Sequence, residues 1–416
     1  MKILWVKSDF LHPTTRGGQI RTLEIVKRLH ARHEVHYLAY ENPAEPEGLG
    51  RAHEYCSRAY PVPHQIPPHG SVKFVLQLAA NTFSSMPLAL SRYCSPAMRK
   101  EITTVSRAVR FDSAVCDFVF LAPNFENLNN CVLFQHNVET MIWRRHSESA
   151  PDPLRKRYFR SQAERMFNWE KRMCLAAGRV VGVSPQDAAI MRELFGVAKV
   201  YSIPTGVDIE YFRRPPQVSP KADLVFLGSM DWMPNIDGVQ YFIREILPLI
   251  RKRLPACQLA VVGRSPSAAT TALAEQDSRI QVTGTVSDVR PWLWGSQVSV
   301  VPLRIGGGTR LKIYESMAAG TATVSTSIGA EGLDVAHPTN IRLADTPPSF
   351  AEQCIELLEN ARERERLASE ALDLVAARFS WDVVAAEFER LLTAFGTVTP
   401  LRCAAQPRDV HVSVDG

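Results

Sequence analysis

Short apolar segments alternate with amphipathic segments along most of the chain. In the first half, buried β-strands are predicted where apolar residues follow one another, at 3–7, 35–39, 112–121, 131–135, 179–183 and 200–204. Residues 17–32 carry apolar residues at helical spacing, and Ser184 can cap a second helix that runs to Leu194. Strands alternating with helices are typical of a parallel sheet wound on both faces, so this half is predicted to be a doubly wound α/β domain.

The same alternation returns after a proline-rich stretch. Two adjacent prolines and a third nearby indicate a linker at 213–222. Beyond it, strands are predicted at 224–228, 258–262, 280–282, 298–302 and 321–326, and helices at 238–253, 350–377 and 381–395. Because residues 61–96 are rich in proline and less periodic, we predict no topology for them. The fold class is therefore α/β, with two doubly wound domains and a ligand site expected at the carboxyl ends of their strands.

The composition indicates in which cellular compartment the protein is expected. The eight cysteines are scattered without metal-ligand spacing, and no run of 18 apolar residues occurs, so we expect a reduced, cytoplasmic protein without a transmembrane helix. The net charge of +5 is uneven, because residues 1–210 hold 27 Lys and Arg against 20 Asp and Glu. Much of this excess lies at 143–145 and 154–160. Two interpretations stay open: a solvated helix face, or a patch that attracts an anionic membrane or a phosphate-bearing acceptor. No nucleic-acid-binding motif accompanies the charge.

A glycine-rich loop follows the predicted strand 298–302. Gly306, Gly307 and Gly308 open the backbone, Thr309 can cap, and 310–319 is periodic enough for a helix. Backbone N–H groups at such a helix start would form an anion site suited to a diphosphate, and Glu315 could accept hydrogen bonds from sugar hydroxyls nearby. The alternative is a loop whose glycines only permit tight packing.

An ordered series of motifs resembles the GT-B retaining glycosyltransferases, in particular the large family-four group. The motifs are Gly17–Gly18, His136–Glu139, Val183–Ser184, Ile203–Asp208, Phe226–Met230, Val261–Gly263, Val282–Val286, Gly306–Gly320 and Phe379–Trp381. The resemblance covers roughly residues 1–395. It implies an acceptor-binding domain at 1–212, a linker at 213–222 and a nucleotide-sugar-binding domain at 223–378, the two facing a central cleft. It also implies a helix at 379–396 that crosses back to the first domain, and 397–416 remains as a tail expected to be disordered.

The resemblance also implies where the donor binds. Backbone amides of Gly308, Thr309, Arg310 and Leu311 are expected to hold its diphosphate, and Glu315 matches the second glutamate of the family's paired-glutamate motif, which clamps the nucleotide ribose. The remaining donor-binding residues that the motifs predict are Gly228, Val286, Gly306, Gly307 and Lys312. Lys312 and Arg310 have an alternative interpretation as solvent-facing helix residues.

The chain departs from the family at two points. The first motif glutamate, which contacts donor-sugar hydroxyls in the family, is replaced by Gly307, and this leaves the donor sugar and the activity itself open. The segment 229–235 contains no Lys or Arg, although many relatives have a basic pair there. We therefore expect Arg264, Arg304, Arg310 and Lys312 to neutralise the diphosphate.

In the first domain, Gly17 and Gly18 would let a helix start approach the leaving phosphate or the acceptor. His136 matches a strand-end histidine of the family that hydrogen-bonds the donor sugar. Glu139 is predicted either to orient the acceptor hydroxyl or only to begin a helix. Asp9, Arg16 and Asp117 stand near predicted strand ends, with nothing else to support a role.

The resemblance implies a retaining transferase without a cofactor, and because no D-x-D metal motif stands at a suitable strand end, metal independence is expected. Its partners would be a nucleotide diphosphate sugar and a saccharide or lipid-linked saccharide acceptor, in polysaccharide or glycolipid synthesis. The uneven charge predicts peripheral membrane contact through the basic first domain. Two alternatives stay open, a non-catalytic nucleotide-sugar-binding or partner-binding module and a GT-B epimerase. The sugar, base, acceptor, linkage and oligomeric state are not predicted.

Overall fold

The computed structural model describes residues 1–14, 17–68, 70–148, 150, 152–266, 268–305 and 311–394. These residues form two compact units. Unit 1 comprises Met1–Gly182, Ala188–Tyr201 and the described residues from Glu389 onward. Unit 2 comprises Val183–Asp187 and Ser202–Phe388. The predicted linker 213–222 thus lies within unit 2, and the tail 397–416 lies outside the described residues.

Unit 1 is built on a parallel sheet. Its strands are β1 (Lys2–Lys7), β2 (Glu34–Glu41), β3 (Arg58–Pro63), β4 (Ser113–Asp117), β5 (Cys131–Phe134), β6 (Arg179–Gly182) and β7 (Val200–Ser202). They lie in the order β3-β2-β1-β4-β5-β6-β7. The strand order reverses between β1 and β4, which pair in parallel, and the crevice at such a reversal is where α/β sheets bind ligands.

The helices of unit 1 interleave with these strands. They are α1 (Gly17–His30), α2 (Glu47–Gly50), α3 (Val72–Asn81), α4 (Leu88–Ser91), α5 (Pro96–Ala108), α6 (Glu139–Glu148), α7 (Pro153–Ala176) and α8 (Pro185–Phe195), the last beginning in the segment assigned to unit 2. Ser184 caps α8 as predicted, because its Oγ accepts the Asp187 N–H at 3.0 Å. The segment 61–96, which received no topology, contains the end of β3 together with α3 and α4.

One predicted strand of unit 1 is too long. The apolar run 112–121 was expected to be extended throughout, but β4 ends at Asp117. Phe118 has a φ of 88°, in the left-handed region, and its N–H donates to the Phe134 carbonyl at 2.8 Å. Val119 and Leu121 are buried in the loop that follows, so their apolar character reflects burial and not strand structure.

Unit 2 repeats the architecture. Its strands are β8 (Ala222–Leu227), β9 (Leu259–Val262), β10 (Ile280–Val282), β11 (Ser296–Val301), β12 (Ala322–Ser325) and β13 (Arg342–Leu343), in the parallel order β10-β9-β8-β11-β12-β13. Its helices are α9 (Ile209–Phe212), α10 (Met233–Tyr241), α11 (Leu247–Arg253), α12 (Ala268–Glu275), α13 (Arg290–Trp294), α14 (Leu311–Ala318), α15 (Pro347–Glu359), α16 (Ala361–Arg378) and α17 (Trp381–Thr393), whose last turns belong to unit 1. Here the strand order reverses between β8 and β11.

Two predicted helices of unit 2 differ from the observed ones. The helix expected at 350–377 is two helices, because Asn360 interrupts it and caps α16 by accepting the Glu363 N–H at 3.1 Å. The helix expected at 238–253 begins earlier, at Met233, and widens into a π-helical turn at Phe242–Ile246 between α10 and α11. Pro248, in the first turn of α11, has no N–H to donate to the preceding turn, and this accounts for the local widening.

Candidate functional site

The carboxyl ends of β1 and β4 bring a cation and an anion together in unit 1. Lys7 is the last residue of β1 and Asp117 the last of β4, and the parallel register of these neighbouring strands places the two side by side. Lys7 Nζ lies 2.9 Å from Asp117 Oδ1, and both side chains are buried. The ion pair therefore lies at the strand-order reversal of this sheet.

Asp117 is the centre of a buried hydrogen-bond network. Its Oδ1 accepts from Lys7 Nζ and, at 2.6 Å, from His136 Nε2. Its Oδ2 accepts from Trp5 Nε1 at 2.9 Å and from Thr22 Oγ1 at 2.7 Å. Four donors from β1, α1 and the end of β5 thus converge on one carboxylate, which fixes their positions relative to one another.

The charges of this network determine its protonation. Burial opposes ionisation of Asp117, but the charge of Lys7 and the hydrogen bonds from Lys7 and His136 outweigh it and hold the pKa of the carboxyl well below its usual range. Burial lowers the pKa of His136, against the opposing effect of Asp117, so the imidazole is neutral at neutral pH. Because an ionised carboxylate only accepts, Nε2 of His136 carries the hydrogen and Nδ1 is an acceptor.

His136 and Gly18, both predicted site residues, lie next to each other. A Cβ on Gly18 would stand 3.8 Å from His136 Nδ1, so the missing side chain leaves that nitrogen uncovered on this side. Gly17 is the first residue of α1, and α1 supplies Thr22 to the network. No described residue hydrogen-bonds Nδ1 of His136, which can therefore accept from a ligand hydroxyl.

Glu139 begins α6 and is buried. Glu170, on α7, satisfies this helix start: it accepts the N–H of Glu139 at 2.9 Å, and the N–H and hydroxyl of Thr140 at 2.8 and 2.6 Å. Burial and then the charge of Glu170 raise the pKa of Glu139 to about 8. Of the two predicted roles, the helix-start role is therefore observed. A role toward an acceptor hydroxyl stays a prediction.

In unit 2, the loops after β8 and β9 approach each other closely. A Cβ on Gly263 would lie 1.9 Å from the Gly228 carbonyl oxygen, and one on Gly228 would lie 2.7 Å from Asn235 Nδ2. Only glycine fits at these two positions without displacing backbone or the Asn235 amide. That amide donates to the Ser229 carbonyl at 2.8 Å, so the segment after β8 is folded tightly over the start of α10.

Lys312 connects α14 to this segment. Its Nζ donates to Asn235 Oδ1 at 2.6 Å and lies 4.6 Å from the centre of the Phe226 ring. Leu311 is the first residue of α14, whereas Gly306, Gly307, Gly308, Thr309 and Arg310 lie outside the described residues. Burial raises the pKa of Glu315 to about 7, against a smaller lowering effect of Lys312. Glu315 therefore changes charge near neutral pH.

Two of the predicted diphosphate-binding cations are held by carboxylates. Arg264 lies 3.1 Å from Asp231 and donates to Ser229 Oγ at 2.9 Å. Arg304 donates to both oxygens of Asp237, at 3.0 and 2.6 Å. Val286 packs against the core of unit 2. An anionic ligand would have to compete with Asp231 and Asp237 for these arginines, whereas Lys312 donates to the neutral amide of Asn235.

Sequence reasoning missed the partners of the residues that it singled out. Lys7, Thr22, Glu170 and Asn235 had no motif of their own, and Asp117 stood only near a predicted strand end. The available signal was that Lys7 ends an apolar strand and that Asp117 is a carboxylate within an apolar run, yet only the strand order makes these strands neighbours. Within the described ranges, no three His, Cys, Asp or Glu residues gather as metal ligands, and no helix is both long and apolar enough to cross a bilayer.

Comparison with known proteins agrees with this architecture. Residues 221–360 match the family model of glycosyl transferases group 1. A protein from the cps region of Klebsiella pneumoniae, described as an uncharacterized 44.6 kDa protein, is 19% identical over 391 residues, covering 91% of this chain and 96% of that protein.

Solved structures with the same fold match most of the chain. Sucrose-phosphate synthase from Thermosynechococcus elongatus is 16% identical, with 94% of this chain and 98% of that chain covered and a TM-score of 0.66. Anabaena HepE in complex with UDP is 14% identical, with 95% and 100% covered and a TM-score of 0.67. The chain thus has the GT-B fold, and its predicted resemblance to glycosyl transferases group 1 is confirmed, with residues 221–360 carrying the sequence pattern of that family.

Proposed function

We propose that this protein is a retaining glycosyltransferase that moves a sugar from a nucleotide diphosphate sugar to an acceptor hydroxyl. The observation that carries the proposal is the family match over residues 221–360, which contain both loops of the strand-order reversal in unit 2 together with Lys312 and Glu315. Anabaena HepE, which shares the fold, has been solved in complex with UDP and with UDP-glucose. A nucleotide diphosphate sugar is therefore the donor class that we assign to unit 2.

The helix starts of unit 2 support the proposed donor binding. The first turns of α10 and α14 begin beside the loops after β8 and β11, and backbone N–H groups at helix starts favour a diphosphate. Lys312 adds a cation beside the α10 segment. The carboxylate form of Glu315 accepts hydrogen bonds from the nucleotide ribose, so nucleotide affinity is expected to rise with pH through about 7.

In unit 1, His136 supplies an acceptor atom for a sugar hydroxyl. Its Nδ1 is unprotonated because Nε2 donates to Asp117, and Lys7 and Thr22 hold that carboxylate in place. Asp117, Lys7 and Thr22 are positioning residues, since they act through His136. Glu139, whose pKa lies near 8, is the second group of this unit that we assign to the substrate side.

The reaction needs no covalent enzyme intermediate. The acceptor oxygen bonds to the anomeric carbon on the face from which the diphosphate departs, the bond from that carbon to the phosphate oxygen breaks, and the acceptor's proton passes to the departing oxygen. Stabilisation of that oxygen by preorganised N–H groups and cations is the main catalytic contribution that this proposal requires. No metal or cofactor takes part in the proposed step.

The cellular setting is part of the proposal. A relative from a cps region supports synthesis of cell-surface polysaccharide or glycolipid, with a saccharide or lipid-linked saccharide as acceptor. The seven cysteines within the described ranges are unpaired thiols, and this supports a cytoplasmic location. Contact with the inner face of a membrane would bring the protein to a lipid-linked acceptor.

Nucleotide binding tests the function directly. Thermal-shift measurements with UDP, GDP, ADP, dTDP and CMP should show stabilisation by one base, and the shift should be lost in Glu315→Ala. Glu352→Ala, a substitution of an exposed glutamate on α15, is the matched control and should keep the shift. No shift with any nucleotide would refute the donor assignment. A shift without sugar transfer to any acceptor would support the binding-module alternative.

A further inference from the structure

Helix α3 presents apolar side chains to solvent. Val72, Val75 and Leu76 are 77%, 55% and 63% exposed, and Phe83, just beyond the helix, is 95% exposed. The exposed Val72, Val75, Leu76 and Ala79, spaced by three, four and seven residues, lie on one side of the helix. We call Val72, Val75, Leu76, Ala79 and Phe83 the α3 stripe. A continuous apolar stripe of this kind is unusual on a monomeric surface and indicates an interaction site.

The opposite side of α3 is fixed to unit 1. Phe74 is partly buried beneath the guanidinium of Arg92, and Asn81 is buried at the helix end. Asn81 accepts from Gln162 Nε2 at 3.2 Å and Arg165 Nη1 at 2.7 Å, both on α7. The helix is therefore anchored through one face, and its exposed stripe is not the buried face of a detached helix.

The segment of the chain that contains the α3 stripe carries positive charges but no negative ones. No Asp or Glu occurs between Glu54 and Glu101, whereas this segment contains Arg58, Lys73, Arg92, Arg99 and Lys100. Lys73 is exposed on α3 itself. An exposed apolar helix that carries a lysine, in a segment without acidic residues, fits an anionic, partly apolar partner.

The start of α7 extends this surface. Arg155 lies seven residues before Gln162, so it is on the side of α7 that contacts the end of α3, and Leu154 beside it is 82% exposed. Arg157 is exposed in the same turn, and Asp152 is the carboxylate nearest to Arg155, at 3.2 Å. The first two turns of α7 therefore add basic groups and one more apolar side chain.

We propose that unit 1 docks on an anionic lipid bilayer through the α3 stripe, with Lys73 and the basic start of α7 at the lipid headgroups. The apolar side chains enter the boundary between headgroups and acyl chains, and the cations meet the negative surface. The proposal rests on the proposed function and adds to it the surface through which the protein contacts the membrane. A second copy of the chain fits less well, because a symmetric contact through this face would bring Lys73 and the α7 cations of both copies together.

Co-sedimentation of the full chain with phospholipid vesicles tests the surface. The wild type should bind vesicles of phosphatidylcholine with phosphatidylglycerol more tightly than vesicles of phosphatidylcholine alone. The triple variant Val75→Ser, Leu76→Ser, Phe83→Ser should bind about tenfold more weakly or worse. A control that removes exposed apolar side chains elsewhere in unit 1, Leu175→Ser with Tyr201→Ser, should bind as the wild type does. Equal binding by the triple variant and the control would overturn the proposal.

The charged part is tested separately. Lys73→Gln with Arg155→Gln and Arg157→Gln should remove the preference for anionic vesicles, and raised salt should have the same effect on the wild type.

Light scattering on the same samples tests the alternative that the stripe is a contact between two copies of the chain. A wild-type dimer that becomes monomeric in the triple variant, without vesicle binding, would overturn the membrane proposal in favour of that contact. All variants should keep the nucleotide thermal shift. A wild type that binds nucleotide but no vesicles would refute the docking surface alone, and one that binds vesicles but no nucleotide would refute the proposed function.

Discussion

At the scale of single residues, Asp117 sets the chemistry of unit 1. Its carboxylate is buried, and it accepts from a lysine, a histidine, a tryptophan and a threonine. A buried charge with this many partners is costly to leave incomplete, because each donor loses its acceptor when the carboxylate is removed. The same bonds determine which nitrogen of His136 carries the hydrogen, so stability and the proposed sugar contact depend on one residue.

Asp117→Ala is expected to lower the free energy of unfolding of unit 1 by about 3–5 kcal/mol, since Lys7 would be left buried without its partner. Urea unfolding followed by tryptophan fluorescence measures the change, and Trp5, which donates to Asp117, is a local probe. The control is Asp9→Ala, because Asp9 is only partly buried and accepts from Gln19 at 2.7 Å; it should cost about 1 kcal/mol. Similar losses in both variants would contradict the central role of Asp117.

The sequence predicts individual residues better than it predicts their partners. His136 was singled out by its motif, and Ser184 by its position before a helix, and each signal is local. The contact of Lys7 with Asp117 is separated by 110 residues and requires the register of β1 against β4. Glu170 is equally remote from the helix that it caps. Contacts of this kind depend on strand order and helix packing, which a single sequence does not contain.

At the scale of elements, the start of α6 couples two glutamates. Glu170 accepts from the first N–H groups of α6 and thereby takes the place of an N-cap side chain. Its charge, added to the effect of burial, keeps a proton on Glu139 up to about pH 8. Helix capping and the protonation of a proposed substrate-side group are therefore linked through one side chain.

This coupling predicts a pH dependence of stability. The folded protein holds the Glu139 proton up to about pH 8, whereas the unfolded chain releases it near the ordinary value of 4.5. The folded state thus binds more protons across this range, and its stability falls as the pH rises. Between about pH 5.5 and pH 8, Glu139→Gln should reduce this fall by on the order of 3 kcal/mol, measured by urea unfolding at both pH values.

Glu170→Gln is the matched comparison on the other side of the pair. It removes a carboxylate that accepts from Glu139, Thr140 and Gln135, and it should destabilise at both pH values by about 1–3 kcal/mol. An unchanged pH profile in Glu139→Gln would show that the proton is not held at that residue.

Element boundaries show where periodicity misleads. The predicted strand 112–121 was too long because buried loop residues are as apolar as strand residues, and only the backbone conformation of Phe118 separates the two. The prediction of one helix at 350–377 missed the break at Asn360, because the helical pattern of apolar residues continues on both sides of that residue. The exposed stripe of α3 was hidden in a segment whose prolines obscured its periodicity. The ends of these strands and helices are determined by local turn and capping residues, and the pattern of apolar positions contains no information on them.

At the scale of the whole molecule, the chain is two units with separate cores. One core is formed around β8, β9 and β11, and the other around β1, β4 and β5. The family match covers only residues of unit 2, whereas the His136 network and the α3 stripe belong to unit 1. This division agrees with the proposed function, which assigns the nucleotide to unit 2 and the acceptor and membrane functions to unit 1.

Hydrogen exchange with and without UDP tests this division in a single measurement. Bound nucleotide should slow exchange in Gly228–Asn235 and in the first turn of α14, because backbone N–H groups there are the proposed ligands of the diphosphate. Exchange in β1 and β4 should change little, since their N–H groups are bonded within the sheet. The protection should vanish in Glu315→Ala and persist in Glu352→Ala. Protection confined to unit 1 would contradict the assignment of the nucleotide to unit 2. The nucleotide would then bind beside Lys7 and His136, where a diphosphate could pair with the lysine only by competing with Asp117.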